Sequence, residues 1–283
     1  MNKSRMYVLS TLLLIFACIG ILYTSNLNAV YVKSISDKDN ALIKAINDGD
    51  VKKVKSLIKS GFDVSKKSEY GQTALMAAAY YGNVEIIRLL IAAGADLEIC
   101  DDNGDNAFMC TFYDSEKKAA VEYFLSLNVD INKINNYHLT PLILAAFNNH
   151  CQSIELLISN GAEIELKGKD GASALIHAVN NKNFEATIKL ILLGANIETR
   201  DQWSFTPLMV AAFNDDGEML KVLLEAGSNI ATRTTQTVRV EIKKSRIDFN
   251  PTIIYIPKDS SALDIAKILN KDAAVKVLIE AGA

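Results

Sequence analysis

The sequence contains few residues of the kinds that interrupt regular structure. Only 14 glycines and 4 prolines occur among its 283 residues. Because long disordered linkers are rich in such residues, we expect none here. The formal net charge is only −3. Proteins that bind nucleic acid usually present a basic face, so we do not expect a nucleic-acid partner.

Cysteine is also scarce, and its spacing does not suggest a metal site. The four cysteines are Cys18, Cys100, Cys110 and Cys151. They show no C-x-x-C spacing and no arrangement with histidine at the spacing of a zinc site, which argues against zinc. We interpret them as packed thiols, and a bridge between Cys110 and Cys151 is the alternative.

Sequence motifs of common enzymes are missing. The sequence has no G-x-x-x-x-G-K-[ST], no H-E-x-x-H and no G-x-S-x-G motif. Its three histidines, His138, His150 and His177, have no Cys or Ser nucleophile at a recognisable motif spacing. We therefore expect no enzyme, no cofactor, no metal and no small-molecule substrate.

The N-terminus differs from the rest of the chain. Lys3 and Arg5 precede an apolar run of 18 residues at 6–23, and no further charge occurs before Lys33. This pattern is typical of a signal peptide within residues 1–30, cut after Ala29, or of an uncleaved anchor that spans the membrane through residues 6–23. A lipoprotein signal at Cys18 fits less well. Both main interpretations predict a protein that is exported across the cytoplasmic membrane, periplasmic or secreted, or anchored in it.

A period of about 33 residues organises the remaining chain. Seven apolar positions recur with spacings of 33, 33, 34, 33, 33 and 55, namely Leu42, Leu75, Phe108, Leu142, Leu175, Leu208 and Leu263. A second marker repeats with the same spacings, namely Gly61, Gly94, Asn128, Gly161, Gly194, Gly227 and Gly282. A fixed period of this length is typical of a repeat protein. We predict about seven helix-turn-helix repeats in residues 37–283, with the terminal ones as caps.

The residues at the repeat boundaries support this prediction. Asn, Thr or Ser precedes each apolar marker by two positions, where its side chain can cap a helix. Pro141 and Pro207 occupy the first helical position, which does not need an N–H. The recurring glycines are suited to a left-handed helix end. Asn128 and one extra residue near 114–118 make the third repeat irregular, and we expect the weakest joint there.

Particular motifs resemble the ankyrin family. Thr140-Pro141-Leu142 and Thr206-Pro207-Leu208 match its T-P-L start, and Gly94-Ala95 follows Leu89-Leu90 as in its repeat ending. The resemblance implies an all-α repeat solenoid of stacked helix pairs. The family's His after Leu is absent, since apolar residues such as Ile143 and Met209 replace it.

The last spacing exceeds the period by 22 residues. Within this insertion, at about 232–258, residues 237–243 alternate between apolar and polar, and residues 252–256 form a second apolar run between Pro251 and Pro257. We predict a β-hairpin before the last repeat. It acts either as a covering loop or as an additional binding arm.

The resemblance also implies where a partner protein binds. Ankyrin proteins usually bind with their concave side, formed by the exposed face of each first helix and by the tips of the loops between repeats, here called fingers. Transferred by register, these positions are Tyr70, Tyr80, Tyr81, Asn103, Tyr113, Tyr137, Leu139, Phe147, Trp203, Phe205 and Phe213. Nine of the 21 aromatic residues would then face solvent, which is typical of an interface. The alternative is that rings on adjacent repeats only pack against each other.

We therefore predict a non-catalytic protein–protein interaction module that is exported or tethered to a membrane. A structural scaffold held by an uncleaved anchor is one alternative. A bacterial effector or toxin-neutralising protein is another, since the Lys-, Ile- and Asn-rich composition suggests a bacterial source. The sequence does not identify the partner.

Overall fold

The computed structural model describes residues 41–68, 70–242 and 252–283. The predicted signal or anchor segment therefore lies outside the described residues. Among the residues that are described, no helix is both long and apolar enough to cross a membrane.

The described residues form seven pairs of antiparallel helices, as the repeat period predicts. The pairs are α1 Ala41–Asn47 with α2 Val51–Lys59, α3 Ala74–Tyr81 with α4 Val84–Ala92, α5 Ala107–Cys110 with α6 Lys118–Leu125, α7 Pro141–Phe147 with α8 Cys151–Ser159, α9 Ala174–Asn180 with α10 Phe184–Leu192, α11 Pro207–Phe213 with α12 Gly217–Glu225, and α13 Ala262–Ile268 with α14 Asp272–Glu280.

Side chains cap most of the first helices. The hydroxyls of Thr73, Thr140 and Thr206 accept hydrogen bonds from backbone N–H groups three residues later, at 3.3, 3.2 and 3.4 Å. Ser173 is an exception to the prediction. Its side chain makes no capping bond, and its Oγ is buried without a hydrogen-bond partner in the described structure.

The predicted left-handed helix ends are present. Each of the recurring glycines has a positive φ, for example 91° at Gly94, and Asn128 has a φ of 60°. Asparagine tolerates this conformation better than most residues, so the third repeat keeps the turn of its neighbours.

Small apolar residues allow the first helices to stack closely. In α3, Ala77, Ala78 and Ala79 are at most 2% exposed. The second helices bury only one face, formed in α4 by Ile86, Ile87 and Leu90. Because a single pair cannot cover its own apolar face, the stability of each pair depends on its neighbours.

The chain divides into two compact units. Unit 1 extends to Lys169 and contains α1 to α8, whose first helices α1, α3, α5 and α7 pack in sequence. Unit 2 is Asp170–Ala283 and contains α9 to α14, in which α11 packs between α9 and α13. The boundaries of the ankyrin domain at 37–283 and of the insertion at about 232–258 stay predictions.

The insertion in unit 2 contains the predicted hairpin. Strands β1 Val238–Ile242 and β2 Thr252–Ile256 are antiparallel, and Val240 lies opposite Ile254. Val238 and Ile256 are buried. At the base of the hairpin, the N–H of Thr234 donates to the Ser260 carbonyl at 2.9 Å. The turn between the strands lies outside the described residues.

The third repeat has a shortened first helix. Helix α5 has four residues and is followed by a loop in which Asp114 has a φ of 64°. The fourth repeat binds this loop: Asn148 Nδ2 donates to the Phe112 carbonyl at 2.9 Å, and His150 Nε2 lies 2.8 Å from the Asp114 carbonyl oxygen. Side chains of the fourth repeat thus hold this loop in place. That the third repeat is the weakest joint of the stack stays a prediction.

Candidate protein-binding surface

In several fingers, a polar side chain at the start of the finger fixes its tip. Asp101 Oδ1 accepts from the N–H groups of Asn103 and Asp105 at 2.8 and 3.0 Å. Asn135 Oδ1 accepts in the same way from Tyr137 and Leu139 at 3.0 and 2.9 Å. These two bonds close a tight turn, so the tip residues have a defined orientation.

The turn also requires a left-handed residue next to the tip. Gly104 has a φ of 81°, and a Cβ added there would come within 2.8 Å of Asn136 N, which is backbone. Glycine is therefore required by both conformation and space. His138 occupies the equivalent position in the next finger, with a φ of 59°.

Neighbouring fingers of unit 1 are hydrogen-bonded to one another. The N–H of Asp102 donates to the Tyr70 carbonyl at 3.2 Å, and the N–H of Asn136 donates to the Asn103 carbonyl at 2.9 Å. The Tyr137 hydroxyl donates to Asn103 Oδ1 at 3.2 Å. The structure thus brings Tyr70, Asn103 and Tyr137 together, as their register predicts.

Three tyrosines of unit 1 are exposed at the predicted positions, and we name them the tyrosine surface. Tyr70 is 51% exposed, Tyr81 43% and Tyr137 37%. Tyr81 lies at the end of α3 and packs edge-on against Tyr80, with ring centroids 5.3 Å apart. Rings that are this exposed are not needed to pack the core. Tyrosine is also enriched in binding hot spots.

The prediction of solvent exposure is wrong for three residues. Tyr80 and Tyr113 are each 4% exposed and Phe205 is 6% exposed. Tyr80 lies beneath the side chain of Lys117, whose Nζ is 5.5 Å from its ring centroid. Phe205 packs against Phe213, with ring centroids 6.1 Å apart.

Equivalent positions in the other repeats explain why these three side chains are buried. Of the positions equivalent to Phe205 in other fingers, Gln72, Asp105 and Ala172 are buried and Leu139 is half-buried. The side chain at this position therefore points towards the helices and not towards solvent. Tyr80 and Tyr113 share a register one residue before Tyr81 and Asp114, which are exposed. One residue along a helix rotates the side chain by about 100°, which decides between core and surface.

The remaining predicted residues are half-buried. They are Asn103, Leu139 and Phe147 in unit 1, and Trp203 and Phe213 in unit 2. The backbone of Trp203 is fixed by Asp201 Oδ1, which accepts from its N–H at 2.9 Å. Unit 2 therefore has a smaller aromatic patch of its own, with Trp203 at a finger tip.

A buried carboxylate in unit 1 supports the fingers and was not predicted. Asp105 is 1% exposed, and it accepts from the Tyr113 hydroxyl and from Asn135 Nδ2, both at 2.8 Å. Burial, and then the charge of Asp101, raise the pKa of Asp105 to about 7. Tyr113 thus points inward because its hydroxyl binds this carboxylate.

Within the described part of the chain, no three His, Cys, Asp or Glu residues are grouped so that they could hold a metal ion. Cys110 is buried and Cys151 half-buried, and these two described residues form no disulfide. The finger tips and helix ends instead present rings, amides and carboxylates, groups that suit contact with another protein.

Stacked helix pairs joined by hydrogen-bonded fingers define a helical repeat protein. The sequence model of the family "Ankyrin repeats (3 copies)" matches residues 13–101, 85–168 and 165–234. The chain therefore belongs to the ankyrin-repeat family, and its fold is the ankyrin solenoid with a hairpin insertion. Ankyrin-repeat domains are protein–protein interaction modules.

Known proteins agree with this assignment. The chain is 30% identical over 130 residues to the ankyrin repeat, SAM and basic leucine zipper domain-containing protein 1 of Dasypus novemcinctus. The alignment covers 45% of the chain and only 27% of that relative.

Two solved structures share the fold. The ankyrin-repeat domain of human ASB11 has a TM-score of 0.67 and 22% identity, covering 86% of this chain and 98% of that one. The ankyrin-repeat domain of Bcl-3, a member of the IkappaB family, has a TM-score of 0.63 and 21% identity, covering 83% and 99%. At this identity the likeness concerns the fold alone.

Proposed function

We propose that this chain is a non-catalytic interaction module that binds a partner protein through the tyrosine surface of unit 1. The observation that supports this most is the exposure of Tyr70, Tyr81 and Tyr137 at positions that ankyrin proteins use for binding. Tyrosine offers a large contact area with few rotatable bonds, so little entropy is lost on binding. Asn103, Leu139 and Phe147 contribute the half-buried border of this contact.

The aromatic patch of unit 2 forms a second contact in this proposal. Trp203 and Phe213 remain partly accessible, and tryptophan is the residue most enriched in binding hot spots. The two patches are tested separately, since each lies within its own unit.

Affinity capture from an extract of the source organism tests the proposal. The full chain is compared with a triple variant, Tyr70→Ser, Tyr81→Ser and Tyr137→Ser. A matched control, Ile188→Ser, Leu192→Ser and Ile279→Ser, removes three exposed apolar side chains from second helices. Circular dichroism and thermal unfolding confirm that all three proteins fold. A protein retained by the chain and the control but lost with the triple variant supports the proposal. Equal retention by all three contradicts it.

We further propose that the protein is exported or tethered to a membrane. The support is the sequence of Lys3 and Arg5 followed by the apolar run at 6–23. The intact mass of the natural protein distinguishes the two forms, because cleavage after Ala29 removes 29 residues. A full-length mass favours the anchored scaffold. A bacterial source, and with it an effector or toxin-neutralising role, is a narrower proposal that rests on composition.

A further inference from the structure

Two exposed carboxylates lie beside tyrosines of the tyrosine surface. Asp102 and Asp114 are both exposed, and each lies beside a tyrosine of that surface. A Cβ added at Gly71, the residue after Tyr70, would come within 2.9 Å of Asp102 Oδ1. Asp114 lies in the loop after α5, and its charge is the second cause, after burial, of the raised pKa of Tyr81.

Lysines also occur near this surface, namely Lys66, Lys67, Lys117 and Lys118, but their ammonium groups are not paired with these two carboxylates. Neither Asp102 nor Asp114 forms an ion pair with any residue that the structure describes. Lys117 is half-buried and lies near Asp114, and its Nζ donates to the carbonyls of Tyr113 and Ser115, both at 2.6 Å. A partner with its own cations would therefore gain from both carboxylates.

The fingers of unit 2 contain arginines. Arg200 Nη1 donates to the Ser204 carbonyl and Arg233 Nη1 to the Asp259 carbonyl, both at 2.8 Å. Guanidinium groups thus form part of the fingers there. Exposed tyrosines beside exposed carboxylates thus lie on the fingers and at a helix end of unit 1, whereas the exposed Tyr255 of unit 2 lies on strand β2 of the hairpin.

Tyrosine rings and carboxylates together recognise arginine. A guanidinium group stacks on an aromatic face and at the same time donates two parallel hydrogen bonds to a carboxylate. Unit 1 already contains one such stack, in which Arg88 Cζ lies 4.0 Å from the ring centroid of Tyr123. A lysine ammonium can use the charge but cannot make the planar, two-bond contact.

We propose that the tyrosine surface, with Asp102 and Asp114, binds an arginine-bearing segment of the partner protein. This inference rests on the proposed function, since it assigns the chemistry of the partner at the same surface. An acidic segment would be repelled by these two carboxylates.

Fluorescence anisotropy with defined peptides tests the inference. The full chain is kept in a non-ionic detergent because of the apolar run at 6–23, and the salt concentration is held near ~0.15 M so that distant charges are screened. The probes are fluorescein-labelled octapeptides of alternating Arg and Gly, Lys and Gly, or Gln and Gly. We expect the arginine peptide to bind about tenfold more tightly than the glutamine peptide, and more tightly than the lysine peptide.

Matched variants separate a specific site from general electrostatics. The pair Asp102→Asn and Asp114→Asn should weaken binding of the arginine peptide about tenfold. The control pair Glu225→Gln and Glu280→Gln removes two exposed charges from second helices of unit 2 and should change it less than about twofold. The triple variant Tyr70→Leu, Tyr81→Leu and Tyr137→Leu should abolish the preference for arginine over lysine, because the stacking faces are lost.

Two results would overturn the inference: equal weakening by both charge pairs, or an arginine peptide that binds no better than the glutamine peptide. If the tyrosine variants also lose the captured partner, the proposed function stands and only the arginine assignment fails. If capture is unaffected, the proposed function itself fails.

Discussion

The ionisation of Asp105 is linked to the stability of unit 1. Its carboxyl group is almost completely buried, and burial raises its pKa from 3.8 to about 7. In the unfolded chain the same group ionises near its ordinary pKa. At pH values between the unfolded and the folded pKa, Asp105 is protonated in the folded protein and ionised in the unfolded chain. The contribution of Asp105 to the free energy of unfolding therefore falls as the pH rises.

We expect Asp105→Asn to remove this pH dependence. The wild type should lose up to ~4 kcal/mol of unfolding free energy, relative to the variant, between about pH 4 and pH 7. Urea unfolding of both proteins at several pH values measures this difference. His150, whose pKa is lowered chiefly by burial, also makes stability depend on pH. Because both proteins contain His150, its contribution cancels when the wild type is compared with Asp105→Asn. Parallel pH profiles for the two proteins would contradict the account.

Thr140 and Ser173 occupy the same position in two repeats but have different energetic roles. Thr140 Oγ1 accepts from the N–H of Ile143 at 3.2 Å, whereas Ser173 makes no capping bond. Thr140→Ala should therefore cost about 1 kcal/mol of unfolding free energy. Ser173→Ala should cost less than about 0.5 kcal/mol, because it removes a buried hydroxyl without a partner. Thermal unfolding compares the two, and equal losses would refute the assignment.

At the scale of elements, the two faces of the hairpin should respond differently to truncation. Ile256 is fully buried, while Ile253, three residues away on the same strand, is 44% exposed. Ile256→Ala should cost about 2–4 kcal/mol, and Ile253→Ala less than about 0.5 kcal/mol. Chemical denaturation measures both. A small loss of unfolding free energy in Ile256→Ala would mean that the hairpin is not packed against the helices of unit 2. That result would favour a free binding arm.

The period of the sequence predicted which elements form, because their ends depend on local chemistry. Thr206 and Pro207 at a helix start, or Gly94 at a helix end, act through neighbouring backbone groups, so a short motif is enough. The direction of a side chain within an element was harder to predict. Tyr80 and Tyr81 are adjacent and chemically identical, so residue type does not indicate which of them is buried, and their different directions from the helix decide it.

The interior of the third repeat could not be predicted for a related reason. The extra residue near 114–118 indicated an irregularity but not its form. In the structure, the loop after the four-residue α5 directs Tyr113 inward to Asp105, which also binds Asn135 of the next finger. Such a network depends on three segments at once, and no period within one repeat specifies it.

At the scale of the whole molecule, the family defines the type of function but not the partner. Ankyrin domains share one fold but bind unrelated proteins, because the residues of the fingers and helix ends vary while those of the core remain similar. In this chain those variable positions differ between the units: unit 1 presents tyrosines and carboxylates, and the fingers of unit 2 contain arginines. We therefore expect the two units to contribute different chemistry to binding.

Site-specific photo-crosslinking tests the central claim most directly. The photoreactive residue p-benzoylphenylalanine replaces Tyr137 in one version of the full chain and Leu192, which is 78% exposed on α10, in another. Both are expressed in the source organism and irradiated. We expect the version with p-benzoylphenylalanine at position 137 to trap a single protein, and the version with the replacement at Leu192 to trap none. The same adducts from both positions, or none from position 137, would contradict it.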